Sequence, residues 1–171
     1  MHPDPSGRLI PSSEFAGDSG TVDPEVAAAL ATYAADRARR GEVLQALAGS
    51  RLLVPVVAVL GEVEYDERGL AHDKSSDMAA VLLKGRDGRL ALLAFTGTES
   101  MVAWNADARP VPVTAQVAAA SAIQDGAAAL LVDVAGPVTV VVEGEDLEGL
   151  ARGWPLARVG DQVVWIRPGV D

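Results

Sequence analysis

The sequence predicts a single α/β (α+β) domain in which a mixed β-sheet is flanked by helices. Apolar runs of strand length alternate along the chain with segments of helix length, which is the pattern of a sheet covered by helices. The turn Gly85-Arg86-Asp87-Gly88 joins two adjacent apolar runs and predicts a hairpin. A hairpin within the alternation favours a mixed sheet over a purely parallel one. A length of 171 residues with 49 % hydrophobic residues is enough for one core.

The beginning of the chain divides into a tail and two helices. Residues 1–22 are rich in Pro, Ser and Gly and predict a disordered tail. Asp23-Pro24-Glu25 predicts a helix start, because Asp caps a helix, Pro suits its first position and Glu favours its positive end. A second helix is predicted over 42–48. The domain proper is therefore expected over 23–153, followed by a C-terminal β-hairpin or tail over 154–171.

The remaining elements follow from apolar runs and their boundaries. Residues 52–60 are continuously apolar and predict a strand buried on both faces. Pro55 predicts a bulge or a pairing gap in that strand, because proline lacks an N–H donor. Residues 61–77 are polar and predict a long loop. The other predictions are strands at 78–84, 89–95, 128–134 and 138–142, helices at 98–104, 114–126 and 145–152, an edge strand or extended linker at 110–113, and a hairpin over 156–166.

Composition excludes several classes of function. The chain has no cysteine, which removes disulfides, thiolate nucleophiles, zinc–thiolate sites and iron–sulfur clusters. The two histidines are His2 and His72, so acid–base chemistry at neutral pH depends on His72 or on a carboxylate with a raised pKa. A net charge of −10 disfavours nucleic acid and anionic membranes as partners. No nucleotide-binding glycine motif is present, and we expect no cofactor and no metal.

The location is predicted from what the sequence does not contain. Residues 1–20 have no apolar h-region, which argues against a signal peptide. No apolar run approaches the roughly 18 residues of a membrane span. We therefore expect a cytoplasmic protein.

Several stretches together resemble the N-terminal domain of the SseB family, the enhanced-serine-sensitivity proteins of bacteria. The resemblance covers about 44–150, and the Ala-rich composition is similar to that of single-domain actinobacterial members. It implies an α/β fold, and it implies no particular reaction, ligand or catalytic residue. The stretches that carry it are Arg51-Leu52-Leu53-Val54-Pro55-Val56, Lys74-Ser75-Ser76-Asp77-Met78, Asp87-Gly88-Arg89, Ala94-Phe95-Thr96-Gly97-Thr98-Glu99, Trp104, Arg109-Pro110-Val111-Pro112, Leu131-Val132-Asp133 and Gly136-Pro137.

The first candidate site is the predicted strand-to-helix turn Thr96-Gly97-Thr98-Glu99, together with Asp133. A small polar or anionic ligand could be held there by helix amides and the two hydroxyls. The structural alternative is that Thr98 caps the helix, Glu99 complements the helix dipole and Gly97 permits the turn. Asp133 is either a functional carboxylate with a raised pKa or the cap of the turn before Gly136-Pro137, with Arg51 and Arg109 as structural partners.

The predicted loop 61–77 carries weaker candidates. Ser75 or Ser76 could act as a nucleophile with His72 or Lys74 as base, but neither a Gly-x-Ser-x-Gly elbow nor a Ser-x-x-Lys motif is present. His72 with Asp73 and Asp77 could bind a divalent metal, but the spacing of a calcium loop is absent. Solvated loop residues are the favoured interpretation, and no catalytic residue is assigned.

The second candidate site is a protein interface near the C-terminus, formed by Trp154, Trp165 and Ile166. Tryptophan is favoured both in core cover and in interfaces, so the two interpretations are weighted equally. The leading functional hypothesis is a non-enzymatic protein-interaction or regulatory module with an unknown protein partner or a homo-oligomer. The alternative is a small polar-metabolite sensor or weak hydrolase that uses the Thr96–Glu99 turn.

Overall fold

The helices lie close to where the sequence predicts them. A computed structural model describes residues 13–59, 64–65, 71–72 and 77–169. Asp23 caps the first helix, since its carboxylate accepts the N–H of Glu25 at 2.8 Å. A short 3-10 turn, Arg37–Arg39, separates the first two helices. The five α-helices are α1 (Pro24–Ala35), α2 (Arg40–Ala48), α3 (Thr98–Trp104), α4 (Ala115–Gln124) and α5 (Gly144–Arg152).

The strands form a mixed arrangement, which confirms the predicted fold class. One sheet has the order β4-β1-β7 and is antiparallel, and the other has the order β5-β6-β8-β9, in which β6 and β8 are parallel. The pairs β2–β3 and β10–β11 are separate hairpin-like units. The strands are β1 (Arg51–Val59), β2 (Glu64–Tyr65), β3 (Ala71–His72), β4 (Asp77–Ala80), β5 (Leu82–Lys84), β6 (Leu90–Ala94), β7 (Arg109–Thr114), β8 (Ala129–Val132), β9 (Val140–Glu143), β10 (Leu156–Val159) and β11 (Gln162–Trp165).

The two larger sheets meet where β1 passes β6. Leu53 and Phe95 exchange both backbone hydrogen bonds, each 2.8 Å long. The strands β4 and β5 are separated only by Val81, and β4 pairs with β1 whereas β5 pairs with β6. The predicted pairing gap at Pro55 falls at this junction, because β4 ends with Ala80 opposite Val56, one residue short of Pro55. On this side of β1 the partner thus changes at the residue that lacks an N–H donor, whereas the pairing with β7 continues through Pro55, which lies opposite Pro110.

Both faces of the central strands are buried, as predicted for β1. Leu52 and Val54 join the core cluster below α4 and α5, whereas Leu53 joins Leu93 and Phe95 on the opposite face, against α3. This division follows from the two-residue period of a strand. The face of α4 that meets the sheet consists of alanines, which allow the helix to approach closely, namely Ala115, Ala118, Ala119 and Ala122.

The two ends of the chain add structure to this frame. Residues 18–22 differ from the predicted disordered tail, since they make specific contacts with the domain. Residues 1–12 lie outside the described part, and so does much of the predicted loop 61–77. The C-terminal hairpin is present as β10 and β11, with Leu156 opposite Trp165.

Candidate functional site: a buried polar centre and its covering strap

A cluster of three polar side chains lies where β6 and β8 end. These strands are parallel, so their carboxyl ends meet at one edge of the sheet and bring Thr96 next to Asp133. Thr96 and Asp133 are each only 4 % exposed. Ser100, in the first turn of α3, completes the cluster. We refer to Thr96, Ser100 and Asp133 as the polar centre.

The carboxylate of Asp133 accepts three hydrogen bonds from its neighbours in this centre. The Thr96 N–H donates to Oδ1 at 2.8 Å, the Thr96 hydroxyl donates to Oδ2 at 2.6 Å, and the Ser100 hydroxyl donates to Oδ1 at 2.8 Å. Every buried side-chain nitrogen or oxygen of the described residues has a hydrogen-bond partner. A buried carboxylate is tolerated when its lone pairs are used in this way.

The backbone of Asp133 is also fixed in place. Its φ of +56° is left-handed, a conformation that Asp and Asn tolerate better than most residues. Its N–H donates to Ala94 O at 3.0 Å, and its own carbonyl accepts the Gly136 N–H at 2.9 Å. Asp133 therefore closes the turn before Gly136-Pro137, as the structural alternative predicted, and it does so from inside the core.

A segment from the N-terminal part of the chain covers the Thr96–Thr98 turn. We call residues 18–22 the strap. The Thr98 N–H donates to Gly20 O at 2.8 Å. Gly97 lies directly under the strap, since a Cβ at Gly97 would be 2.7 Å from the Val22 Cγ2 atom. Val22 is partly buried and packs against the core. The amide that a ligand could have used at this turn is thus bonded to the chain itself.

Arg51 holds the strap in place. Its guanidinium pairs with both carboxylate oxygens of Asp18, and Nη2 also donates to Thr21 O at 2.7 Å. On the domain side, Nη1 donates to Thr96 O at 2.6 Å. The side chains of Arg51 and Asp18 are 12 % and 16 % exposed. Hydrogen bonds from Arg51 are the main reason that the pKa of Asp18 lies below its ordinary value of 3.8.

The structure brings some of the predicted site residues together and separates others. Thr96, Gly97 and Asp133 meet at the polar centre, whereas Glu99 is exposed at the start of α3. The prediction that Thr98 caps α3 is wrong, because the cap position is Gly97 and no side chain caps the helix. The predicted pairing of Asp133 with Arg51 or Arg109 is also wrong, since Arg51 binds Asp18 and Thr96 O and Arg109 is exposed.

The candidates in the loop before β4 are not tested by the structure. Lys74, Ser75 and Ser76 lie outside the described residues, and so does Asp73. His72 and Asp77 are described only as backbone, in β3 and β4. Among the side chains that are described, no three His, Cys, Asp or Glu residues lie together as a metal site would require.

The second candidate site is divided between the two faces of the C-terminal hairpin. Trp165 faces the domain, where its ring lies over Gly149 of α5 and its Nε1 donates to Asp146 at 2.9 Å. Val163 faces the same way and meets Gly41 of α2. Trp154 is half-buried with the Arg167 guanidinium 5.3 Å from its ring centre. Ile166 is 46 % exposed and lies on the outer face.

The outer face of the hairpin is apolar, a feature that the sequence analysis did not identify. Residues opposite each other in an antiparallel pair point to the same face. The register therefore places Ala157 with Val164 and Val159 with Gln162 on the outside, and Val159 is 61 % exposed. The complete outer set is Pro155, Ala157, Val159, Gln162, Val164 and Ile166.

Two surface depressions of the described part lie away from the polar centre. One, of about 520 Å³, lies between α4 and α5 and is lined by apolar side chains that include Ile123 and Leu147. The other, of about 170 Å³, lies between the start of α2 and the hairpin and is lined by charged side chains that include Arg39 and Arg158.

These features define an α+β domain with a closed polar centre, a strap over that centre and an apolar hairpin face. No helix among the described residues is long and apolar enough to cross a membrane. The family model of the SseB protein N-terminal domain matches residues 26–149, which is most of the chain. The chain therefore belongs to the SseB N-terminal domain family, as the resemblance predicted. No curated protein and no solved structure gave a significant match.

Proposed function

We propose that this domain is a non-enzymatic protein-interaction or regulatory module that binds a protein partner through the outer face of its C-terminal hairpin. The observation that carries the proposal is the composition of that face, which has no charged side chain at any of its positions from Pro155 to Ile166. Val159 and Ile166 are exposed there. A group of exposed apolar side chains without charges is typical of the centre of a protein interface.

The state of the polar centre supports binding over catalysis. A nucleophile or general base must be within reach of a substrate. The Thr96 hydroxyl donates to Asp133 at 2.6 Å and both residues are buried. The strap lies over the same turn and uses the Thr98 N–H. The polar groups of this centre are therefore engaged in holding β6, β8 and α3 together.

One observation favours the metabolite-binding alternative. Thr96 and Asp133 lie next to each other, and a ligand site at this turn would require that proximity. It requires the strap to leave, because Gly20 and Val22 occupy the space over Gly97. Thermal-shift screening against a metabolite panel tests it. A hit that is lost on Thr96→Ala, while the folded state is retained, would favour a sensor over the interaction module.

Photocrosslinking from two matched positions tests the proposed interface. Ile166 and Ile123 are equally exposed, at 46 % and 48 %, but only Ile166 lies on the outer hairpin face. With p-benzoylphenylalanine at position 166, we expect one discrete protein adduct in cells, formed in the cytoplasm, and we expect no such adduct from position 123. Point substitutions are preferred to deletion of 154–171, because Trp165 and Leu156 pack on the core.

A charge on the face provides the second arm of this experiment. Val164→Glu places a carboxylate in the centre of the proposed interface, so we expect the adduct from position 166 to disappear while the thermal unfolding temperature changes little. An adduct that contains two copies of this chain would identify a homo-oligomer as the partner state. The proposal fails if position 166 yields no adduct under any growth condition, or if both positions yield the same adducts.

A further inference from the structure

We infer that the strap is an exchangeable element, and that the cleft beneath it also accepts the strap of a second copy of this chain. The cleft is lined by Arg51, Gly97 and Thr98. These residues hold the strap, which turns at Gly20, through its main chain and through the carboxylate of Asp18, and both are contacts that a bound peptide can supply.

The contacts are specific for a sequence of the form Asp-x-Gly-x-Val. Asp18 pairs with the Arg51 guanidinium through both oxygens. Gly20 has a φ of +77°, and a Cβ at this position would lie 2.1 Å from the Thr98 hydroxyl oxygen. Val22 packs over Gly97. Each of the three positions is therefore read by a different part of the cleft.

The strap can leave the domain without disturbing the elements that follow it. The helix α1 begins at Pro24 with its own cap at Asp23, and it packs mainly on α2. Proline at the first helical position fixes the start of α1 whether the strap is bound or released. The peptide between Val22 and Asp23 is thus a natural hinge for exchange.

The cleft fits the strap of a second copy as well as it fits its own strap. Its residues 18–22 have the same sequence, so an exchanged strap would recover every contact described above. Exchange is rare in dilute solution because a tethered strap has an effective concentration of about millimolar at its own cleft. Blocking the strap's docking in its own chain should therefore expose the exchange.

Two glycine substitutions damage the strap and the cleft independently of each other. Gly20→Ala damages only the strap, since its new Cβ meets Thr98 and the left-handed φ becomes unfavourable. Gly97→Ala damages only the cleft, because the nearest atoms to its new Cβ belong to Gly20 and Val22. Neither variant can satisfy its own cleft, but a mixture supplies one intact strap and one intact cleft.

The Thr98 amide is the reporter, because its hydrogen-bond acceptor is Gly20 of the strap. In ¹⁵N-labelled full-length Gly20→Ala chain we expect this resonance to move away from its wild-type position. Addition of the unlabelled Gly97→Ala chain, up to about millimolar concentration, should return the Thr98 resonance to its wild-type position, and the change should saturate. Sedimentation of the mixture should show a species of two chains. The Gly97→Ala/Asp18→Ala double variant should need a concentration at least about tenfold higher to return the resonance, because the bonds between Asp18 and Arg51 are lost.

Each outcome decides the inference. It is overturned if the Gly20→Ala chain keeps the wild-type Thr98 resonance, since the strap would then not depend on the contact at Gly20. It is also overturned if the Gly97→Ala chain leaves the shifted resonance unmoved. Should Gly20→Ala fail to fold, Asp18→Ala replaces it as the strap-defective chain, and the same two criteria apply.

Discussion

At the scale of single residues, Asp133 shows how far the sequence alone could define the candidate site. A carboxylate in the apolar run 130–134 and a threonine at the end of another run marked Asp133 and Thr96 as unusual. Ser100 and Asp18 carried no such signal. Ser100 bonds to Asp133 across 33 positions of sequence, and Asp18 meets Arg51 across the same separation. Contacts of this kind depend on tertiary structure rather than on local pattern.

Substitution of Asp133 should separate its two roles. We expect Asp133→Ala to lower the free energy of unfolding by about 3 kcal/mol, since three donors lose their acceptor and alanine is strained at positive φ. Asp133→Gly relieves the backbone strain and should cost about 1 kcal/mol less. Asp133→Asn keeps one acceptor oxygen and tolerates the left-handed backbone, so it should cost least. Urea unfolding at constant m-value measures all three.

The order of the three variants is the informative result. If Asp133→Asn were as damaging as Asp133→Ala, the negative charge itself would be essential to the fold. If all three left the unfolding free energy unchanged, the described hydrogen bonds would not contribute to stability.

At the scale of elements, the two prolines of β7 explain how this strand can form the edge of the sheet next to β1. Leu53 points its N–H and carbonyl towards Phe95, so by alternation it points away from β7. Pro112 lies opposite Leu53 and Pro110 lies opposite Pro55. In such pairs the backbone groups of β7 also point away from β1, towards the open edge. Both prolines therefore remove donors where another chain could have paired.

Restoring these N–H donors should allow the edge strand β7 to pair with a second chain. We expect Pro110→Val/Pro112→Val to associate at concentrations where the wild-type chain does not, because a β-branched edge with free N–H groups can pair with a second strand. Sedimentation velocity over a concentration series measures the association. Pro137→Val is the control, since Pro137 is exposed in a turn rather than on a strand, and it should leave the sedimentation profile unchanged. Equal association by both variants would contradict the argument.

At the scale of the whole molecule, the sequence predicted the elements and the class of sheet but not how the pieces are joined. Alternating apolar runs sufficed to place most strands and helices, because burial imposes a period on each element. The change of partner at Val81 and the docking of the hairpin were not predictable, since they depend on which side chains meet across the fold. Two glycines show this dependence, because Gly41 receives Val163 and Gly149 receives Trp165.

The hairpin connects elements that are far apart in sequence. Arg158 of β10 pairs with Glu42 of α2, and Trp165 of β11 bonds to Asp146 of α5. Arg40 of α2 also pairs with Asp146, at 3.0 Å. The first and last parts of the domain are thus held together through one face of the hairpin, whereas Val159 and Ile166 on its other face are exposed.

Gly149→Ala tests the docking of the hairpin on α5, because the substitution has two opposite effects on the free energy of unfolding. Alanine in the middle of a helix is favoured over glycine by about 1 kcal/mol. The new Cβ, however, would lie 2.6 Å from the Trp165 ring, and overpacking of this kind costs about 1–3 kcal/mol. Displacement of the ring also loses its hydrogen bond to Asp146. We expect a net loss of about 1–2 kcal/mol in urea unfolding and a weaker near-ultraviolet circular dichroism signal from tryptophan.

The matched control is Gly49→Ala at the end of α2. The nearest atom to its new Cβ is 4.0 Å away and its φ is −93°, so we expect a change within about 0.5 kcal/mol. Because the damage at Gly149 acts through the Trp165 ring, Trp165→Leu should cost less in the Gly149→Ala background than in the wild-type chain. Additive losses, or a gain in stability for Gly149→Ala alone, would mean that the hairpin is not held to α5 by this contact.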